Sequence, residues 1–250
     1  MLYLRSALFI LLFSCSSVGF SLAILLAKPL LSECALGRLG NAWSRSSLVL
    51  LRAICGLDVD ISGQEHLPSG PAIILCKHQS AWETIALRPL FPCQQSWVLK
   101  RELLDIPFFG WALRCYHPIA IDRGSPRQAL KQVLGQGEAS LNAGRWVVLF
   151  PEGTRVAPGQ RGRYNSSGAK LAERTGVPVV PIAHNSGVFW GRRAFTKHPG
   201  RIQLVVGPAI ASANRSTAEI NRLAEDWIEA RVASLPDAPG TSHEANPTKT

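Results

Sequence analysis

The 250-residue chain lacks the signatures of several common enzyme classes. It contains no Gly-x-Ser-x-Gly motif, which argues against a serine hydrolase, and no Gly-x4-Gly-Lys-Ser/Thr loop, which argues against a nucleoside triphosphatase. No Cys-x-x-Cys pair and no Cys/His cluster at metal-ligand spacing occurs, so we expect neither a metal site nor a disulfide framework. We therefore predict reduced, mostly buried thiols for the six cysteines: Cys15, Cys34, Cys55, Cys76, Cys93 and Cys115.

Acidic residues are also scarce. The chain has 27 Lys and Arg against 17 Asp and Glu, a formal net charge of +10. This excess indicates a polyanionic neighbour, which could be nucleic acid, an anionic bilayer or a phosphorylated substrate, and charge alone does not choose among them. With 46% hydrophobic residues, a chain of this length can bury one substantial core, and nothing indicates two comparable domains.

Charge is absent from one long segment near the N-terminus. Ala7 to Ala27 are 21 consecutive uncharged residues, and roughly 20 apolar residues are needed to cross a hydrocarbon core. A cleaved signal peptide is an alternative, because Ser21-Leu-Ala23 resembles a cleavage site, although the apolar run continues beyond it. Small polar residues weaken the centre of the segment and Pro29 could begin a turn, so a helical hairpin in one leaflet remains an alternative to a full span.

Cations flank this segment unequally. Only Arg5 precedes it, whereas four follow: Lys28, Arg38, Arg45 and Arg52. The positive-inside rule therefore places the rest of the chain in the cytoplasm, with the anchor in the inner membrane. Residues 35–57 read as an amphipathic helix near the membrane interface, or equally as a packing helix of the domain.

After residue 57, apolar β-rich runs alternate with helical stretches, which predicts an α/β fold with a mainly parallel sheet flanked by helices. The predicted strands are Val59–Ser62, Ala72–Leu75, Ser96–Leu99, Pro118–Ile121, Trp146–Phe150, Val177–Ile182 and Ile202–Val206. The predicted helices are 80–90, 107–115, 125–142, 165–175 and 216–234. We divide the chain into an N-terminal membrane anchor with the amphipathic helix (1–57), a globular domain (58–235) and a disordered tail without large apolar residues (236–250).

His78 and Glu83 follow the second predicted strand. With Ser80 as N-cap, Glu83 is the third helical residue and its side chain leans back toward His78. An imidazole can take a proton near neutral pH while a neighbouring carboxylate fixes its tautomer, so the pair suits activation of a hydroxyl. The alternative is a capping box without chemistry, since Ser-x-x-Glu is also a helix-start signal.

Cations follow three further strands. Because the carboxyl ends of parallel strands meet at one edge of a sheet, we expect these residues near His78, as a site for a phosphate-bearing substrate. Gly153 would let the backbone approach an anion closely and Thr154 offers a hydroxyl. Taken singly, each cation could be a solvated surface charge and Glu152 a turn cap. The strand-end residues are Lys100, Arg101, Arg123, Glu152, Gly153, Thr154 and Arg155.

Four ordered blocks within about residues 58–210 resemble the glycerolipid acyltransferases. They are His78-x4-Glu83, Lys100–Gly110 with Ile121-Asp-Arg123, Phe150-Pro-Glu-Gly-Thr-Arg155, and Val180-Pro181-Ile182. One departure is that Glu83 stands where the family pattern has Asp, which keeps the carboxylate but adds a methylene.

The resemblance implies transfer of a fatty acyl group from acyl-CoA or acyl-acyl carrier protein to the sn-2 hydroxyl of lysophosphatidic acid, giving phosphatidic acid. It implies that His78 is the general base and Glu83 its orienting residue. Arg155, with Arg123 and Lys100, would hold the substrate phosphate, and Pro181 would shape the floor of the site or the acyl channel. No cofactor, metal or nucleic acid is expected.

Two alternatives remain. An enzyme of the same family would acylate another lysolipid, such as a lyso-ornithine lipid. A non-catalytic basic protein bound to anionic lipid would explain the charge and the anchor, but not the ordered strand-end residues.

Overall fold

The seven predicted strands form one sheet in the computed structural model, which describes residues 1–236. Neighbouring strands pair in the order β1-β7-β6-β2-β5-β3-β4, and every pair is parallel except β6 with β7. The mainly parallel α/β fold is thereby confirmed. The strands are β1 Leu57–Ser62, β2 Ile73–Cys76, β3 Gln95–Lys100, β4 Ile119–Ile121, β5 Trp146–Leu149, β6 Val179–His184 and β7 Gly200–Val206.

Eight α-helices occur among residues 1–236: α1 Leu2–Ala27, α2 Glu33–Cys55, α3 Trp82–Ala86, α4 Phe109–Leu113, α5 Pro126–Asn142, α6 Ser167–Thr175, α7 Ser186–Phe189 and α8 Thr217–Ala233. α3 and α4 are shorter than the predicted helices 80–90 and 107–115, because each gives way to a 3-10 turn. The first of these turns contains Pro89, which has no N–H to donate to an α-helical hydrogen bond. α7 was not predicted, since four residues are too few to show a helical period.

Helices cover both faces of the sheet. α1, α2 and α3 contribute to the core on one face, and α5, α6 and α8 to the core on the other. β2, β5 and β6 are buried along their whole length, which explains why they read as continuous apolar runs rather than alternating ones. Their carboxyl ends, with those of β3 and β4, lie at one edge of the sheet, where the predicted site residues follow.

The N-terminal apolar segment is a single 26-residue helix, α1, joined to α2 by a short turn. Both ends of α1 pack against the domain. Near its start Phe9 packs edge-on against Trp190, with ring centroids 5.7 Å apart, and near its end Ile24 packs with Ala112 and Cys115. The outward side of α1 is apolar and exposed through Tyr3, Leu4, Leu8, Leu11, Leu12, Val18, Leu22 and Leu26.

The segments 1–57 and 58–235 meet where α2 ends at Cys55 and β1 begins at Leu57. Phe9 and Leu51 from the first segment belong to the same core as the strands, so the anchor packs on the domain. The predicted disordered tail, 236–250, lies outside the described residues except for Pro236.

The prediction of reduced thiols is wrong for two cysteines. Cys34 and Cys93 form a disulfide that links the start of α2 to the loop before β3. Because 59 residues separate them in sequence, only the packing of α2 on that loop brings them together. Of the remaining cysteines, Cys15 is exposed, and Cys55, Cys76 and Cys115 are buried.

Close packing of α2 on this loop gives a testable prediction. A Cβ at Gly37 would overlap the Cys93 carbonyl, so we expect Gly37→Ala to lower the free energy of unfolding by about 1–3 kcal/mol. Gly135 in α5 faces open space, so Gly135→Ala should instead raise it by about 0.5–1 kcal/mol. Thermal or urea unfolding in detergent measures both variants, and equal stabilities would contradict the packing described.

Candidate active site

His78 and Glu83 are in direct contact. His78 directly follows Lys77 at the end of β2, Glu83 lies in the first turn of α3, and Nδ1 of His78 is 2.8 Å from Oε1 of Glu83. The Glu83 carboxylate is fully buried and also accepts hydrogen bonds from the N–H of Gln79 (2.9 Å), the N–H of Ser80 (2.8 Å) and Oγ of Ser186 (3.2 Å). These donors hold the carboxylate toward the imidazole.

The helix starts one residue later than predicted: the N-cap of α3 is Ala81 rather than Ser80, and Glu83 is the second helical residue. Oγ of Ser80 accepts from the N–H of Trp82 at 3.1 Å, while Glu83 accepts from the N–H of Ser80. Glu83 therefore holds the turn before α3 and the imidazole together, because one of its oxygens accepts from both the backbone and the ring. The turn that starts α3 is what directs this carboxylate toward His78.

The environment of Glu83 favours its charged form. Burial by itself raises the pKa of this carboxyl, but the hydrogen bonds from His78 and from the N–H of Ser80 outweigh burial and lower the pKa below its ordinary value. His184 is fully buried, and burial lowers its pKa despite the nearby Glu83 charge. Nε2 of the neutral His184 ring donates to the carbonyl of Lys77 at 2.8 Å.

The contact with Glu83 fixes the tautomer of His78. A carboxylate only accepts hydrogen bonds, so Nδ1 of His78 carries the proton and Nε2 of the neutral ring keeps its lone pair. Phe150 stacks on the imidazole with ring centroids 4.1 Å apart and an interplanar angle of 17°. The side chain of His78 is 10% exposed, so only a small part of the ring can meet a substrate. The arrangement suits proton removal from a bound hydroxyl.

The turn after β5, residues 151–156, is fastened to the His78 backbone. Oε2 of Glu152 accepts from the N–H of His78 at 2.8 Å, and the N–H of Val156 donates to the carbonyl of His78 at 2.8 Å. Gly153 has a φ of 65°, a left-handed conformation that glycine adopts without strain. Gly153 and Thr154 are exposed and Arg155 is half-buried, so the first and third sequence blocks meet at one place.

Glu152 points into the protein. Its side chain is fully buried, and its second oxygen, Oε1, accepts from Nζ of Lys77 at 2.8 Å. Both carboxylate oxygens of Glu152 therefore bond to Lys77 and His78 inside the protein. Arg155, which is half-buried, is the charged residue of this turn that remains available to a substrate.

The remaining predicted cations lie at the ends of β3 and β4. Lys100 forms an exposed ion pair with Glu102 at 2.8 Å. Partial burial lowers the pKa of Arg123, although the side chain still contacts solvent. The negative charge of Glu102 opposes this shift, and the positive charge of Arg155 adds to it. The positive charges of Arg123 and Arg155 therefore oppose each other, which favours the binding of an anion nearby. No hydrogen bond or ion pair among residues 1–236 joins Arg101 to this group.

Pro181 lies inside the sheet. It is buried in β6 and pairs with Leu75 of β2, just before the antiparallel pairing of β6 with β7 begins at Ile182. The carbonyl of Pro181 accepts from the N–H of Gly207 at 2.8 Å. It therefore sits beneath the edge at which the site residues emerge.

Three residues of the site were not predicted from sequence: Lys77, His184 and Ser186. Lys77 directly precedes His78 in the first block and could have been noticed as a charge at the end of an apolar strand. His184 and Ser186 follow β6, so the strand-end rule would have found them if the predicted strand had been extended past Ile182. Within the described part of the chain, no group of three or more His, Cys, Asp or Glu could hold a metal ion.

Comparison with known proteins places the chain in a family. Residues 58–185 match the acyltransferase family model. The chain is 44% identical over 237 residues to a 1-acyl-sn-glycerol-3-phosphate acyltransferase of Pseudomonas aeruginosa, covering 93% of this chain and 91% of that relative. It is 30% identical over 189 residues to the yeast Saccharomyces cerevisiae protein of the same name, covering 72% of this chain and 59% of the relative.

The fold is also similar to a solved structure. The crystal structure of the 1-acyl-sn-glycerophosphate acyltransferase PlsC from Thermotoga maritima superimposes with a TM-score of 0.77 at 20% identity, covering 92% of this chain and 94% of that one. At that identity the likeness concerns the fold. The family match and the long P. aeruginosa alignment carry the assignment: the chain belongs to the acyltransferase family, as the resemblance of its four blocks to glycerolipid acyltransferases predicted.

Proposed function

We propose that the protein transfers a fatty acyl group from acyl-CoA or acyl-acyl carrier protein to the sn-2 hydroxyl of 1-acyl-sn-glycerol-3-phosphate, forming phosphatidic acid. The activity for which the P. aeruginosa and yeast relatives are named supports this substrate. The observation that carries the chemistry is the 2.8 Å contact of His78 with the buried Glu83, beside the turn that bears Arg155.

In the proposed mechanism, Nε2 of His78 takes the proton of the sn-2 hydroxyl while that oxygen attacks the thioester carbonyl. Glu83 stays ionised at neutral pH, because its pKa is lowered, and it stabilises the imidazolium that forms. The tetrahedral intermediate then collapses and the ester forms. The thiolate of CoA or carrier protein leaves and takes the proton from His78. No covalent acyl-enzyme is required.

The substrate phosphate is held by Arg155, assisted by Arg123 and Lys100. Nε of Arg155 is buried and has no hydrogen-bond partner among the described residues, so a donor is available for a phosphate oxygen. Arg123 lies close enough to Arg155 for their charges to interact. Gly153 and Thr154 line the same turn, and Arg101 adds positive charge at the rim.

The lipid substrates reside in a bilayer, and we propose that α1 embeds lengthwise in the cytoplasmic leaflet of the inner membrane. Its length and apolar composition suit a membrane span, but both of its ends pack on the domain, which a helix crossing the bilayer away from the domain could not do. Exposed Leu103, Ile106, Phe108 and Trp111 add a second apolar patch next to Lys100.

The cytoplasmic orientation rests on the cations that follow α1. The Cys34–Cys93 disulfide argues against this orientation, since disulfides are typical of oxidising compartments. We favour the cytoplasm, because acyl thioesters are cytoplasmic metabolites and the bond would there be formed only transiently.

Removing the proposed base tests the mechanism. His78→Ala should lower kcat by about 10²- to 10⁴-fold, because it removes the group that takes the hydroxyl proton in the proposed mechanism. His198 is exposed, and His198→Ala is the matched control that should keep full turnover. The assay offers a panel of labelled lysolipids with both thioester donors. Undiminished acyl transfer by folded His78→Ala protein would rule the mechanism out.

Removing the phosphate contact tests the substrate. Arg155→Ala should reduce kcat/KM for lysophosphatidic acid, mainly by raising KM. The expected loss of transition-state stabilisation is about 1.5–3 kcal/mol, which is the contribution of a charged hydrogen bond. Arg201→Ala removes an exposed arginine on β7 and controls for net charge. If kinetic constants of Arg155→Ala match those of the control, Arg155 does not bind the phosphate.

Depth measurements test how α1 meets the membrane. We expect spin labels on the exposed positions Tyr3→Cys, native Cys15 and Leu26→Cys to lie at similar depth in anionic vesicles, because the helix lies along the domain surface. Electron paramagnetic resonance power saturation reports each depth. A label at position 15 near the bilayer centre, with the other two at opposite surfaces, would instead indicate a span.

A further inference from the structure

Lys77 is a fully buried cation without a role in the mechanism above. Its ammonium group makes three hydrogen bonds: to Oε1 of Glu152 at 2.8 Å, to Oε1 of Glu229 at 2.7 Å and to the carbonyl of Gln160 at 3.3 Å. An ammonium group has three N–H bonds, so its capacity is used completely. The side chains of Lys77 and Glu152 are both 0% exposed.

The network continues into α8. Glu229 lies on that helix with its side chain 16% exposed, and the hydroxyl of Tyr164 donates to it at 2.8 Å. Burial, followed by the bond to Glu229, raises the pKa of Tyr164, so the phenol remains a donor. A line of hydrogen bonds therefore joins α8, through Glu229, Lys77 and Glu152, to the N–H of His78.

Every backbone polar group of the Lys77–His78 dipeptide is held. The N–H of Lys77 donates to the carbonyl of Ile182 at 3.0 Å, and its carbonyl accepts from His184 at 2.8 Å. The N–H of His78 donates to Glu152 and its carbonyl accepts from Val156, both at 2.8 Å. Two of the four bonds come from the turn after β5, and the Glu152 bond depends on where Lys77 holds that carboxylate.

We propose that Lys77, fixed by Glu229 and Tyr164, is a positioning residue for acyl transfer: it orients the Glu152 carboxylate that sets the place of the His78 backbone. The inference rests on the proposed function, in which His78 is the base. α8 lies outside residues 58–185, which match the family model. The inference gives this helix a part in the geometry of the site.

The charges explain why a lysine is needed. Two carboxylates face one another across Lys77, and without the ammonium the fully buried Glu152 would have no ion-pair partner among the described residues, which is costly. Glu152 would then turn or take up a proton, and the N–H of His78 would lose its acceptor. Because a displacement of about 1 Å can reduce turnover up to about 100-fold, a small shift of His78 is enough to be measured.

The experiment compares steady-state kinetics of the full-length protein in detergent, with lysophosphatidic acid and acyl-CoA, well below the unfolding temperature of each variant. Lys77→Met removes the cation with little change in volume. The double variant Lys77→Met/Glu229→Gln also removes one stranded carboxylate, so it should recover thermal stability. Ile220→Val, on the buried side of α8, is the control that loosens this helix without touching the network.

We expect kcat per folded protein to fall about 10- to 100-fold in Lys77→Met and in the double variant, with KM for both substrates changed less than about twofold. Glu229→Gln, which leaves Lys77 and Glu152 paired, should lower kcat by about threefold at unchanged KM, and it decides the question if Lys77→Met does not fold. Ile220→Val should lower stability while leaving kcat unchanged.

Wild-type kcat in the folded double variant and in Glu229→Gln would overturn the positioning role, as would a loss that appears only in KM. A fall of kcat in proportion to the loss of thermal stability in every variant, Ile220→Val included, would also overturn the positioning role. Full turnover by His78→Ala would overturn the proposed function together with this inference. An inactive His78→Ala beside a fully active double variant would overturn this inference alone.

Discussion

The structure of the site depends on one buried carboxylate being fully satisfied. Glu83 is excluded from water, and it keeps its charge because an imidazole, two backbone N–H groups and a serine hydroxyl surround it. A buried charge with so many donors is confined to one position. The turn between β2 and α3 and the segment after β6 both contribute these donors, so the pairing of β2 with β6 completes the set around the carboxylate. The extra methylene of Glu83, compared with Asp, is accommodated with a contact of 2.8 Å to His78.

The site is therefore a product of the sheet edge rather than of any one loop. β2 delivers His78, β5 delivers the turn that carries Glu152 and Arg155, and β6 delivers His184 and Ser186. These three strands are adjacent in the order β6-β2-β5, at the centre of the sheet and buried on both faces. A rigid centre of this kind limits the movement of groups that must meet a substrate, while the exposed cations of β3 and β4 lie toward the sheet edge.

The N-terminal helices pack on the domain that carries this edge and leave an apolar surface exposed. α1 and α2 share a core with the sheet face that also contains Trp82 from α3, so the apolar surface and the site belong to one packed body. The exposed apolar residues near α4 stand beside Lys100, which places apolar and cationic surface side by side.

Most of the secondary structure followed from local pattern. All seven strands and the five helices predicted after residue 57 are present, because apolar runs, caps and prolines act over a few residues. The departures have local causes as well, as at Pro89, where the chain cannot continue an α-helix. The order of the strands, in contrast, depends on contacts between residues far apart in sequence.

The sequence by itself determined the α/β fold, the His78 and Glu83 pair and the cations at successive strand ends, because each is encoded within a short stretch of chain. Only the tertiary structure decided that Glu152 faces Lys77 and Glu229, that Cys34 meets Cys93, and that α1 lies along the domain. These contacts join residues between 59 and 181 positions apart, and such pairings are fixed by packing and by the need to satisfy buried polar groups. No local sequence pattern specifies them.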